Sequence, residues 1–202
     1  SEKELILCFD WSGSMYDFHG GIQNYSIQKQ GHLAALRDEE IRRLLISQRV
    51  FIRAILWAGN MKEIRSIFNG RIEGQEDILR LYRAISEKVP PWKSPSGFTD
   101  HTTPLIYAES VPLAAKRRII DISTDQEMDN SYASFYCRAK MGELYKKMNT
   151  SINVLAIGVG EKGLLILKEN LVTPDGFMEK ISDWNGYIPA LKKKIKRELS
   201  LV

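Results

Sequence analysis

The stretch Leu5-Ile6-Leu7-Cys8-Phe9-Asp10-Trp11-Ser12-Gly13-Ser14-Met15 decides the fold. An apolar run, Leu5 to Phe9, stops abruptly on an acid and two hydroxyls spaced two residues apart. A run of that length reads as a buried strand of a parallel sheet. In open α/β sheets, ligands bind just outside the carboxyl ends of such strands. Gly13 lets the backbone turn sharply there, so Asp10, Ser12 and Ser14 make a cluster of hard oxygen donors. Hard oxygens suit Mg²⁺, Mn²⁺ or Ca²⁺ and do not suit zinc or copper. The same residues also read as a plain turn with a helix N-cap. A single carboxylate cannot hold a divalent ion, so other loops must add oxygens if one binds.

Two later segments offer them. Lys116-Arg117-Arg118-Ile119-Ile120-Asp121-Ile122-Ser123-Thr124-Asp125 is a second apolar-centred strand ending on an acid. Between the strands, His101-Thr102-Thr103-Pro104-Leu105 is a loop that becomes a helix, with Thr103 at a plausible N-cap and Pro104 at the first helical position. A hydroxyl there either caps the helix or ligates a metal. Three sequence-distant loops converge only if their strands are neighbours in one sheet.

With these residues in place, the chain resembles von Willebrand factor A (vWA) domains carrying a metal-ion-dependent adhesion site (MIDAS). The resemblance rests on Asp10-x-Ser12-x-Ser14, on Thr103 in a Thr-Pro-Leu-x-x-Ala setting, and on Thr124-Asp125. It implies that Asp10, Ser12, Ser14, Thr103 and Asp125 surround Mg²⁺, or Mn²⁺ or Ca²⁺ in its place. It further implies a non-enzymatic adhesion or scaffold module whose protein partner completes the ion's shell with an Asp or Glu. One departure stands out: many vWA domains have Gly after the third-loop Asp, where this chain has Gln126, whose side chain would crowd or shape the ion's open face.

The likeness extends to a bacterial vWA subfamily of unknown function. It is carried by Gly31 to Asp38 with Glu40-Ile41, by Arg53 to Gly59, by Ile120 to Ser123, by Ile152 to Gly158, and by Gly176-Phe177 before a helix that includes Leu191 to Lys194. That likeness implies an extracytoplasmic location in a bacterium, although the chain opens Ser1-Glu2-Lys3-Glu4 with no apolar leader.

The 202 residues suit one domain over 1–202. Hydrophobic content of 44% and charged content of 27% are those of a globular protein, and no apolar run approaches the ~20 residues that span a bilayer. Two cysteines make no disulfide framework; Cys8 reads as a small core residue and Cys137 lies on a helix. The net charge of +4 is concentrated at Lys192, Lys193, Lys194, Lys196 and Arg197. Cations near a helix C-terminus favour its dipole, so a solvated terminal helix is expected. A nucleic-acid or anionic-membrane patch is the alternative, and nothing aromatic is interleaved with these residues, which argues against single-strand stacking.

Strands and helices alternate along the chain. Strands are expected near 4–10, 49–58, 117–124, 151–158 and 176–181, with 63–68 a short antiparallel edge strand. Helices are expected over 21–47, with a stripe of Ile22, Tyr25, Leu33, Leu36, Ile41 and Leu44, and over 74–88, 104–115, 131–149, 162–171 and 186–199. The proline-rich loop 89–102 is long enough to be functional. This pattern is a doubly wound, mostly parallel α/β sheet with helices on both faces, vWA- or Rossmann-like.

The remaining signals are weighed around that site. Thr99 and Asp100 precede the second loop and are candidates to hold an ion-bound water. Asp121, inside its strand, is a weaker one, since such an Asp more often bonds its neighbours. Trp11 is expected on the rim of the site, Trp92 in the proline loop as a partner contact, and Trp57 in the core. His19, His32 and His101 lack zinc spacing. Gly158-Val159-Gly160-Glu161-Lys162-Gly163 superficially matches a dinucleotide loop, but no full βαβ unit follows it. The alternative function is a Mg²⁺-dependent hydrolase or phosphoryl-transfer enzyme. It lacks an evident base, a nucleophile elbow and paired acids.

Overall fold

The computed structural model describes residues 3–128 and 131–200. A six-stranded sheet has the order β5-β4-β1-β6-β7-β8, formed by β1 (Lys3–Asp10), β4 (Phe51–Trp57), β5 (Arg65–Arg71), β6 (Arg117–Thr124), β7 (Thr150–Ile157) and β8 (Met178–Ile181). All pairs are parallel except β4 with β5, which is the antiparallel edge expected from the 63–68 pattern. A separate hairpin, β2 (Phe18–His19) with β3 (Ile22–Gln23), turns on Gly20 and Gly21 at φ 59° and 82°. Two left-handed residues in a two-residue loop match the right-handed twist of hairpin strands, and glycine adopts them without strain.

The helices are α1 (Asn24–Arg37), α2 (Glu39–Ser47), α3 (Gln75–Lys88), α4 (Thr102–Ser110), α5 (Tyr132–Met148), α6 (Glu161–Leu171) and α7 (Tyr187–Ser200). Strand side chains alternate between faces, and the core divides accordingly. Leu5, Leu7 and Phe9 pack with residues of α1, α2, α3 and α7, whereas Ile6 and Cys8 pack with residues of α4, α5 and α6. Cys8 and Cys137 are both free and buried, and Trp57 is fully buried.

Three expectations are corrected. The helix expected over 21–47 is two helices, broken at Asp38, whose carboxylate accepts the Ile41 N–H and caps α2; Ile22 lies outside both and is exposed. Of the expected stripe, Leu36 and Ile41 are buried and Tyr25, Leu33 and Leu44 pack partly buried against the core, but the buried face of α1 also carries the polar Asn24, Gln28 and His32. The helix expected over 104–115 runs from Thr102 to Ser110, and the segment after it is held by Arg53 and Arg118, which donate to the Pro112 carbonyl. Both arginines also bind the fully buried Glu4.

The terminal helix is not simply solvated. Lys194 is fully buried and bridges Asp121 (2.7 Å) and Glu198 (2.8 Å). Lys192 and Lys196 pair with Asp38, and Lys193 and Arg197 with Glu179. Each cation of the run therefore has an acidic partner within the fold.

Candidate metal centre

The parallel strands β1 and β6 are paired as far as Cys8 and Ile122, and β1 pairs with β4 as far as Asp10 and Trp57. Beyond Cys8, β1 and β6 separate. This is also where the winding of the sheet reverses, because β4 and β5 lie on one side of β1 and the later strands on the other. A crevice at such a switch point is the expected ligand position of an open α/β sheet.

Asp10, Ser12, Ser14 and Asp125 meet there. Asp10 is 2% exposed. Its Oδ1 accepts the Ser12 N–H at 2.8 Å, while its Oδ2 is buried with no hydrogen-bond partner. The Ser12 and Ser14 hydroxyl oxygens lie 3.5 Å apart, and Ser14 Oγ donates to Asp125 Oδ1 at 3.0 Å. Burial pushes the Asp10 carboxyl up to about 7, opposed by the hydrogen bonds from Ser12 and reinforced by the charge of Asp125. A buried carboxylate oxygen with nothing to bind is costly. A cation is the partner that such an atom and its hydroxyl neighbours fit. Among the described residues no three His, Cys, Asp or Glu side chains are placed to hold a metal, so an ion here would need hydroxyl oxygens to complete its shell.

The other expected residues distribute as follows. Thr103 is buried inside the first turn of α4, not at its cap. The capping contact comes from Asp100, whose Oδ1 accepts the Thr102 N–H at 2.9 Å and whose carbonyl accepts the Thr103 N–H at 3.0 Å. The helix start therefore does not need the Thr103 hydroxyl as its cap. Thr99 is half-buried in the same loop. Gln126 donates from Nε2 to Asp125 Oδ1 at 3.3 Å, so its side chain leans on a candidate ligand. Asp121 is not at the site: it is the core partner of Lys194. Trp11 does not form a rim either. Its ring is buried in the core, and its backbone ties the loop down, the N–H to Trp57 O at 3.2 Å and the carbonyl to Ser94 N–H at 2.7 Å. Trp92 is 62% exposed.

Several positioning residues carried no signal in the apolar pattern. The Gly13 N–H donates to Gly97 O at 2.8 Å, and a Cβ on Gly13 would meet that oxygen at 2.9 Å. The loop carrying Gly97 is clamped by the buried Glu63, which accepts from the N–H and hydroxyl of Ser96, both at 2.8 Å, and from the Gly59 N–H at 3.0 Å. His101 Nε2 and Thr124 Oγ1, 2.9 Å apart, link the second and third loops. Burial lowers His101 to about 4, so it is neutral and bonded rather than poised as a base. The glycines at 158–163 serve packing: Gly160 N–H donates to Glu127 Oε1 at 3.0 Å, and a Cβ on Gly163 would meet Glu127 Cδ at 2.8 Å.

Fold and topology define a vWA-like α/β protein. The mussel byssus protein "proximal thread matrix protein 1 (PTMP1)", solved "with zinc occupied MIDAS motif", superposes with a TM-score of 0.66 at 16% identity over 98% of this chain and 46% of that one. The pilus adhesin SpaC from Lactobacillus rhamnosus GG gives 0.70 at 13% identity, covering 98% of this chain and 30% of that one. An aerotolerance-related membrane protein from Bacteroides fragilis gives 0.56 at 16% identity, covering 96% and 98%. The chain thus spans less than half the length of the first two, and at these identities the likeness is one of fold. A search of curated proteins finds no match. The chain belongs to the family described as "Protein of unknown function (DUF1194)", whose profile matches residues 1–202.

Proposed function

We propose that residues 1–202 form a single module that binds a protein partner through a divalent cation, with Mg²⁺ the first candidate and Mn²⁺ or Ca²⁺ the alternatives. Asp10, Ser12, Ser14, Thr103 and Asp125 hold the ion. The observation that carries this reading is Asp10 Oδ2, a buried carboxylate oxygen without a partner among hydroxyls and a second carboxylate. When bound, the ion supplies a positive charge with an open position for a carboxylate. The chain's own residues give it little anionic charge, two carboxylates in all, so an Asp or Glu from a partner is a favourable final ligand. Phe18, Trp92, Phe98 and Tyr132, each more than 60% exposed, lie in the segments that carry or follow the candidate ligands or pack on their loop, and are the apolar contacts offered to the partner. The adhesin and matrix proteins that share the fold support a binding role outside the cytoplasm. Among the described residues no helix is long and apolar enough to cross a membrane.

Calorimetric titration with Mg²⁺, Mn²⁺ and Ca²⁺ tests the ion, and capture of partners from the native source in Mg²⁺ and in chelator tests its use. Wild type should take up one ion, and Asp10→Ala none. A partner retained equally by wild type, by Asp10→Ala and in chelator would overturn the reading.

A further inference from the structure

Where β1 and β6 separate, the last residue of β1 loses its neighbour. Asp10 has the strand parity of Cys8, and the next residue, Trp11, directs its N–H to β4. The Asp10 N–H and C=O therefore face the β6 side, beyond the last β1–β6 pair at Cys8 and Ile122. Both groups are taken by one side chain. Gln28, fully buried on α1, accepts the Asp10 N–H at Oε1 (3.0 Å) and donates from Nε2 to Asp10 O (2.9 Å). Its amide thus does for Asp10 what the next residue of a paired strand would do. One helical turn earlier, on the same face, Asn24 donates from Nδ2 to Ser14 O at 3.1 Å. Helix α1 therefore grips the Asp10–Ser14 segment at both ends through its backbone and takes none of its side-chain oxygens.

We propose that Gln28, with Asn24 in support, is a positioning residue for the ion site: it wedges the crevice between β1 and β6 and fixes the direction of the Asp10 carboxylate. This rests on the ion-site reading above. The chemistry requires an amide at 28. A carboxylate there offers no donor to Asp10 O when ionised and adds repulsion toward Asp10, whereas a methionine matches the shape and makes neither bond. Buried backbone groups left unpaired pull the strand end toward water or another partner, and the carboxylate turns with it.

The test compares the Mn²⁺ dissociation constant, read by electron paramagnetic resonance of free Mn²⁺, for wild type, Gln28→Met and Leu167→Ala. Leu167 is a fully buried residue on α6 that belongs to the core cluster on the opposite face of the sheet from Trp11 and Met15, and it controls for general loss of stability. Melting temperatures in chelator, with circular dichroism at 25 °C, establish that each variant is folded, and Gln28→Asn gives a second, smaller amide variant if Gln28→Met is not. The expected result is Mn²⁺ binding weakened at least tenfold by Gln28→Met, and by Gln28→Asn because its shorter amide cannot span both groups, with Leu167→Ala within twofold of wild type. Binding by Gln28→Met within twofold of wild type, or an equal loss in Leu167→Ala, overturns the positioning role while leaving the ion site intact. Absence of Mn²⁺ binding by wild type overturns the ion site and this proposal together.

Discussion

Replacing Asp10 with Asn should make the ion-free protein more stable at alkaline pH while removing its response to divalent cations. Burial raises the Asp10 carboxyl from 3.8 to about 7. In the unfolded chain it ionises near 3.8, so between those values the folded state holds the extra proton and stability falls as pH rises. Above pH 7 the folded protein carries the charge with Oδ2 unpartnered. Three pKa units at about 1.4 kcal/mol each set the cost at about 4 kcal/mol. Asparagine keeps an oxygen for the Ser12 N–H and brings no charge. For a chain of this size about 2–4 °C accompanies each kcal/mol, so the gain at pH 8 in chelator should reach roughly 5–15 °C. At pH 4 the two proteins should melt together. Millimolar Mg²⁺ should raise the wild-type melting temperature, by about 2.7 kcal/mol of stability at a hundredfold excess over Kd, and leave Asp10→Asn unmoved. The assay is thermal unfolding by circular dichroism across pH, with and without Mg²⁺. If Asp10→Asn melts no higher than wild type at pH 8 in chelator, the carboxylate is not held at a cost, and the reasoning from its unpartnered oxygen fails.

Thr103→Ala should weaken Mg²⁺ or Mn²⁺ binding in calorimetry yet lower stability by only ~1 kcal/mol, the scale of one hydroxyl's hydrogen bond, because Asp100 provides the capping contact at the start of α4; a large loss of stability with unchanged ion affinity would reverse that assignment. Burial, with the charge of Asp121 beside it, raises the Glu198 carboxyl to about 8. Stability should therefore decline from about pH 4.5 to about 8, and Glu198→Gln should flatten the segment between pH 7 and 8, above the Asp10 window, in denaturant titrations. Lys194→Met should destabilise by about 3–5 kcal/mol, since it leaves Asp121 buried and uncompensated; urea midpoints measure it. Trp92→Ala should reduce partner retention without altering ion affinity, and an unchanged retention would place recognition elsewhere on the loops.

The sheet was readable from the chain because its signals are local and apolar. Each run such as Leu5 to Phe9 or Ile119 to Ile122 announces a strand, and the acid or hydroxyl that ends it marks the loop. Hence Asp10, Ser12, Ser14 and Asp125 could be brought together before any coordinates. The break at Asp38 is also signalled, by a good capping residue followed by Glu39 and Glu40, but the apolar stripe runs on across it from Leu36 to Ile41 and Leu44 and masks it. The polar face of α1 carried no such signal. Gln28 and Asn24 are buried to bind a loop rather than to fill a core, and periodicity of hydrophobic residues is blind to that purpose. Lys194 was hidden in the same way. Within Lys192-Lys193-Lys194, helical spacing puts only 194 on the face of Leu191 and Ile195, but a lysine there reads as a break in that face until the tertiary placement of Asp121 and Glu198 supplies its partners.

The contact between Glu127 and the turn at Gly160 and Gly163 constrains anyone who would re-engineer this face. Glu127 belongs to the segment that follows Asp125, whereas the glycines open α6, and the carboxylate occupies the space that a side chain at 163 would need. Exchanging the third loop for one from a relative would strand two glycines beside a hole. Exchanging the α6 turn would drive a new side chain into Glu127, two residues from a candidate ion ligand. The two segments behave as one cassette, and libraries that diversify the loops around the ion should transplant or randomise them together.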